Sequence, residues 1–343
     1  MTKKKNKYTV SRRSTPWDNK ALLTPEESFL KESYLSTFDF RHPKISETDE
    51  AAFLNSYRPE ACPKCGSVHF KKNGFDQNGI QKYKCSNPEC NTVFTVITGT
   101  IFDDHKRPIA DWIEFAIQII HYESTNVTSR NNRNSPTTTA LWLYKLFSVM
   151  EGYQKDIVLR GTVQIDETYY SVEKKDLVIK EGHKLRGISR NQMCIGVGCD
   201  TGGRYIFIYE GKGKPNISKT RYAFEGHIKP GSVLIHDMEH SHKILVDNLK
   251  LDEKVYNSKE LKKLDDKHNP MNKVNKACAA VQRFLDSHSG FNRDNIQGYL
   301  DILAWIMNSP KNDLKKVQIF LNRTLRCRKI IRFRKHYKVK PSK

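Results

Sequence analysis

"TVQIDETYYS", residues 162–171, sets how the second half of the chain folds. Successive side chains of a strand alternate between its faces, so Val163 and Ile165 point one way and Gln164 and Asp166 the other. Aspartate is disfavoured inside strands, so Asp166 asks for a reason other than folding. Two more strand-like runs follow, "QMCIGVGCD" (192–200) and "RYIFIYEG" (204–211), joined by the turn-forming "DTGG". Then come a helical stretch to about residue 226, the strand "SVLIHD" (232–237), the helix "SHKILVDNLK" (241–250), the strand "KVYNS" (254–258) and a helix from Asn269. Three strands in a meander, then alternating helix and strand, predict an α/β domain with a mixed sheet flanked by helices.

Asp237 ends the apolar run "SVLI" and so sits at the carboxyl end of a strand, where open α/β sheets build their sites. With Asp166 it can converge on two divalent cations about 4 Å apart, which suits phosphodiester attack by water or a 3′-hydroxyl. Taken alone, each aspartate also fits a surface or capping residue. His236, His240 and His242 surround Asp237 at irregular spacing and read as structural groups at a strand-to-helix turn. Cys194, Cys199 and Cys278 fall in apolar runs and read as small core residues.

Upstream, Cys62-x2-Cys65, nineteen residues and Cys85-x4-Cys90 place four thiols on two knuckles. Four thiolates hold one Zn²⁺ tetrahedrally, and Asn78-Gly79 between the knuckles marks a hairpin turn. The spacing predicts a zinc ribbon, too small to keep a core without its metal. Disulfides or four unrelated thiols are the rival readings. Two helical runs follow, "PIADWIEFAIQIIHYES" (108–124) and "SPTTTALWLYKLFSVM" (135–150), separated by the polar "TSRNNRN". Ser135 suits an N-cap and Pro136 a first helical position. The pair reads as a helix-turn-helix with 136–150 as recognition helix. On it Trp142, Leu143, Leu146 and Phe147 belong to the core, leaving Thr137, Thr138 and Lys145 as DNA candidates.

The 343 residues carry 59 Lys+Arg against 38 Asp+Glu, a net charge of +21 that points to a polyanionic partner, nucleic acid first. The tail "NRTLRCRKIIRFRKHYKVKPSK" (322–343), with Arg332 and Arg334, suits phosphate contact without sequence preference, as does the insertion "SVEKKDLVIKEGHKLRGISR" (171–190). No apolar run reaches a membrane span, and the start lacks the apolar segment of a secretory signal, so the expected location is the cytosol. The chain divides into a disordered basic tail (1–24), a helical lead-in (25–60), the ribbon (61–100), a helical DNA-binding segment (101–155), the α/β domain (160–310) and a helix with a basic tail (311–343).

In order along residues 40–325, "RPEACPKCGS", "QKYKCSNPECNTVFTVITGTIF", "VQIDETYY", "RGISRNQMCIGVGCDTGG", "HNPMNKVNKACAAVQRFLDSHSGF" and "IQGYLDILAWIMN" resemble the bacterial insertion-sequence transposases that carry a zinc ribbon before a DDE-type, RNase H-like catalytic domain. The resemblance implies cleavage and strand transfer at terminal inverted repeats with Mg²⁺ or Mn²⁺, on double-stranded DNA including a target, by an oligomer associated with the nucleoid. It assigns Asp166 and Asp237 to the first two catalytic acids and Asn275 to the third position, where members carry Glu, Asn or His. Asn275 lies at the edge of the stripe Val274, Ala277, Cys278, Val281 and Leu285, and an amide oxygen is a legitimate hard-cation ligand without charge. Glu167, Glu239, Glu260, Asp265 and Asp266 are the nearby alternatives. A basic residue one or two turns further on often accompanies the third position, and here that region reads Gln282-Arg283. Besides a transposase, a catalytically silent DNA-binding derivative and a nuclease that only hydrolyses fit these features.

Overall fold

The computed structural model describes residues 24–30, 32–33, 47–103, 107–132, 134–261 and 263–332. The tail expected over 1–24, apart from its last residue, lies outside them, as does Arg334 with the end of the C-terminal tail. The chain forms two compact units, one from residues within 1–145 and 317–334, the other within 146–316.

In the first unit, helix α1 (Glu47–Asn55) precedes a three-stranded antiparallel sheet of β1 (Phe70–Phe75), β2 (Gln81–Cys85) and β3 (Val93–Phe94). The turn between β1 and β2 forms around Asp76, whose Oδ1 accepts from the Asn78 and Ile80 amides, while Gly79 takes φ +80° at the tip. Helices α2 (Ile109–Ile120), α3 (Thr125–Asn131) and α4 (Pro136–Met150) follow. Two helices with a polar spacer were expected here, yet the spacer is itself helical. Ser124 Oγ accepts from the Val127 amide and starts α3, and buried Asn132 after it accepts from Gln118 Nε2 of α2. Ser135 caps α4 as expected, accepting from the Thr138 amide. Trp112 stacks on Trp142 with ring centroids 4.0 Å apart, and Phe102, Phe115 and Phe320 pack edge-on or tilted around the pair.

The second unit is built on a five-stranded mixed sheet flanked by helices, with strand order β10-β9-β4-β7-β8. Its members are β4 (Thr162–Ser171), β7 (Gln192–Asp200), β8 (Tyr205–Lys212), β9 (Val233–Asp237) and β10 (Asp252–Tyr256). The meander β4-β7-β8 is antiparallel; β9 joins the free side of β4 in parallel, and β10 joins β9 in parallel. β10 begins two residues earlier than its apolar run, because the ladder with β9 runs from Asp252↔Val233 to Tyr256↔Asp237. The insertion after β4 carries a small hairpin, β5 (Ile179–Lys180) and β6 (His183–Lys184), turned by Glu181 and Gly182 at positive φ.

Helices α5 (Ile217–Phe224) and α6 (Lys243–Leu249) cover one face of this sheet: Val163, Ile165, Ile206, Ile208 and Leu234 form one buried cluster with Phe224 and Leu245. After the short α7 (Ser258–Leu261), α8 (Asn272–Ser287) and α9 (Ile296–Met307) follow, and α8 lies along the other face of β4. α8 starts three residues later than expected. Asn269 precedes Pro270, which disfavours helical backbone before it, and Asn269 O instead accepts from the Asn272 amide in a turn. Gly298 on α9 is needed for packing, since a Cβ there would stand 2.8 Å from the Phe147 ring. The last helix, α10 (Asp313–Arg326), leads back into the first unit. Among the described residues no helix is long and apolar enough to cross a membrane.

Candidate active site

The parallel ladder between β4 and β9 ends at Gln164↔Ile235, and Asp166 and Asp237 each lie two residues beyond that rung. Equal steps from one rung put two carboxylates side by side on one face, Asp166 midway along β4 and Asp237 at the carboxyl end of β9. Both are half-buried. Burial pushes the Asp166 carboxyl up to about 7, with the charges of Glu167 and Asp237 adding to the rise and the Glu167 amide, donating to Asp166 Oδ1 at 2.8 Å, opposing it. Desolvated, mutually repelling carboxylates are the donor set a hard divalent cation neutralises, so Asp166 and Asp237 can hold Mg²⁺ or Mn²⁺.

Glu167, one residue on, points to the opposite face, where it joins a buried chain. Its Oε1 meets Nε2 of His242 at 2.8 Å, His242 Nδ1 faces His236 Nδ1 at 3.2 Å, and His236 Nε2 meets Glu253 Oε1 at 3.1 Å. Burial alone would hold the His242 imidazole neutral, but the bond to Glu167 and the acids around it raise its affinity for a proton above the ordinary value. His236 is shifted down by burial and by His242. Glu210, on β8, is raised to about 8 by burial and then by Glu167. In the sequence these histidines read as structural groups and Glu167 as a lesser alternative ligand; the contacts that join them cross between β4, β9 and the turn after it, which no local pattern encodes. His240 is exposed, and Glu239 accepts from the Ser241 amide while its own amide donates to Asp237 Oδ1.

α8 is tied to β4 along its length. Gln164 Nε2 donates to Pro270 O and its Oε1 accepts from the Val274 amide; Gln282 Nε2 donates to Thr168 Oγ1 and Tyr169 O; Tyr170 Oη donates to Asp286 Oδ1. Asp166 stands between the Gln164 and Thr168 anchors, so the helix positions opposite it fall between Val274 and Gln282. Cys278 is there: burial raises its thiol well above the ordinary value, and Asp166 is the first of the charges that raise it further. By its apolar run Cys278 reads as a core residue, and it is half-buried. Asn275 lies one turn before it and is exposed, as is Arg283. Glu260, Asp265 and Asp266 are exposed, and Asp265 pairs with His268 at 2.5 Å.

In the first unit Cys62, Cys65, Cys85 and Cys90 bring four sulfur atoms within 4.8 Å of one another, with Cys62–Cys90 at 3.8 Å and Cys65–Cys85 at 3.6 Å. None is in a disulfide, and four thiols so clustered can hold one Zn²⁺. Lys71 and Lys72 are exposed and Lys82 and Lys84 half-buried. Of the DNA candidates on α4, Thr137 is exposed, the Thr138 hydroxyl bonds Ser135 Oγ at 2.9 Å, and Lys145 turns inward, donating to Ile101 O and lying over the Trp112 ring. Burial lowers the Lys145 ammonium to about 8. Arg332 is exposed, whereas Arg328 of the same basic stretch donates to the Val96 and Thr98 carbonyls.

No protein-family model matches the chain, and no curated protein matches it. Among solved structures it is similar to a simian T-cell lymphotropic virus intasome in complex with PP2A regulatory subunit B56 gamma, with TM-score 0.28 and 8% identity over 56% of this chain and 67% of that one. It is also similar to a pre-cleavage Mos1 transpososome, with TM-score 0.20 and 9% identity over 59% and 75%, and to the Mos1 strand transfer complex, with TM-score 0.21 and 12% identity over 59% and 74%. Scores this low carry no argument about this chain. The fold and the site together define an α/β sheet domain with paired acids on two neighbouring parallel strands, joined to a four-cysteine unit.

Proposed function

We propose that the chain is a DNA transposase of the bacterial insertion-sequence kind, with an RNase H-like catalytic domain over 160–310, a zinc ribbon over 61–100 and a helix-turn-helix-like segment over 101–155. The observation that carries this reading is the placement of Asp166 and Asp237 at matched steps on neighbouring parallel strands, with the Asp166 carboxyl pushed up by burial first and then by the acids beside it. A +21 chain supplies the attraction to a polyanionic substrate.

In this reading Asp166 and Asp237 hold the catalytic divalent ions, and Asn275 supplies a neutral amide oxygen as the third ligand. Such ions activate a water or 3′-hydroxyl nucleophile and stabilise the leaving oxygen. The chain's own work is positional. Gln164 and Gln282 pin α8 against β4 on either side of Asp166, so the helix bearing the third position does not drift from the acids. In the same reading the exposed Thr137 on α4, Arg283 on α8 and Arg332 near the C-terminus contact DNA, and two transposon ends require more than one copy of the chain.

The expected result with a repeat-end duplex is that Asp166→Asn and Asp237→Asn each abolish Mg²⁺-dependent cleavage and leave binding in place. Robust cutting by either variant would sink the assignment. Asn275→Ala is expected to impair cutting and Asn275→Glu to retain it, whereas loss with Cys278→Ser alone would move the third position one turn along α8. The exposure of Asn275 favours a second reading, a transposase-derived DNA-binding protein without catalysis. Binding of the duplex with no cleavage by the unaltered chain in Mg²⁺ or Mn²⁺ would select it.

A further inference from the structure

His236 and His242 are almost wholly buried, at 2% and 0% exposure, and face each other through their Nδ1 atoms at 3.2 Å. Each ring's other nitrogen is engaged by a carboxylate, Glu253 for His236 and Glu167 for His242. A carboxylate only accepts, so each Nε2 carries its hydrogen. That assignment leaves a lone pair on both Nδ1 atoms, and two lone pairs at this distance repel unless a cation lies between them or beside them. A proton is one such cation. A metal ion is the other, and three observations favour it.

First, two nitrogens bound to one tetrahedral ion at about 2.05 Å stand about 3.3 Å apart, close to the spacing seen. Second, a carboxylate oxygen of Asp237 and a ring nitrogen of each histidine lie within 4.8 Å of one another, so the set comprises three donors. Third, the two imidazoles sit among three carboxylates, with Glu253 and Glu167 on their Nε2 atoms and Asp237 beside them. Carboxylates that take the far N–H of ligating histidines are the usual outer support of a metal site; they fix the tautomer and make the imidazole a stronger base.

We propose that His236, His242 and Asp237 bind one transition-metal dication at the carboxyl end of β9, oriented by Glu253 and Glu167. Imidazole nitrogens select this class of ion over Mg²⁺, which prefers an all-oxygen shell. The ion joins the last residues of β9 to the turn before α6 and so fixes the segment that presents Asp237. The site does not depend on the transposase reading, because its signature is metal content and not cleavage.

The test is zinc stoichiometry of the full chain by equilibrium dialysis and elemental analysis. Two equivalents are expected. His236→Gln and His242→Gln should each lower the count to one, and Cys65→Ser, at an exposed position, should remove the other equivalent. With Co²⁺ the four-cysteine site should give intense thiolate absorption in the near ultraviolet, which the histidine variants retain. If a buried histidine variant fails to fold, Glu253→Gln at a 36% exposed side chain serves instead, with an expected 10–100-fold loss of affinity for the second equivalent, about the usual cost of removing such support. One equivalent bound by the unaltered chain, two retained by the histidine variants, or unchanged affinity in Glu253→Gln would each overturn the proposal.

Discussion

Asp166 is held at a cost to the fold. Its carboxyl is raised to about 7 from an ordinary 3.8, by burial first and then by Glu167 and Asp237. Between those two values the folded chain keeps a proton that the unfolded chain releases, so rising pH works against folding through this group, and fully so above 7. Asp166→Asn removes the burden. Its melting temperature should exceed that of the unaltered chain at pH 8 and match it near pH 4, with a gain at pH 8 of at least about 3 °C, given that 1 kcal/mol is worth ~2–4 °C in a domain of this size. Thermal denaturation at the two pH values checks this, and equal shifts at both would deny the repulsion. Added Mg²⁺ should narrow the gap by stabilising only the unaltered chain.

Among the elements, the three-stranded sheet of the first unit depends on its cysteines more than on its core. Phe70, Tyr83 and Phe94 pack together with Cys62 and Cys85 as nearly the whole of its apolar cluster. Chelation with a strong zinc ligand should therefore melt β1–β3 while the five-stranded sheet persists, read as hydrogen exchange rising over residues 62–96 and not over 162–200. Protection over 62–96 that survives chelation would mean that the cysteines are not a metal site. This unit was legible because turn and thiol spacing are local. β4, β7, β8 and β9 were equally legible, since each alternates or runs apolar over its own length. The start of α8 was not, because it is set by Asn269 before Pro270 and by Gln164 of a distant strand. The histidine chain was missed for the same reason: Glu167, His236, His242 and Glu253 come from four separate places. Lys145 illustrates the converse: its charge suggested a partner, but the interior carbonyl of Ile101 holds it.

Across the whole molecule, a charge of +21 predicts binding that is strong, weakly selective and sensitive to salt. With on the order of five phosphate contacts, log affinity should fall against log salt with a slope of about −4.5. Fluorescence anisotropy between low and moderate salt measures it, and a slope near zero would exclude the backbone as the main source of attraction. The order of strands has a kinetic consequence. β4 meets β7 across the insertion 172–191, but it meets β9 only after β7, β8 and a helix have been laid down, so the ladder that aligns Asp166 with Asp237 closes the larger loop and closes it later. A nascent or half-folded chain holding only the meander therefore carries Asp166 without Asp237, and the fold itself withholds the paired acids until the later strand has docked.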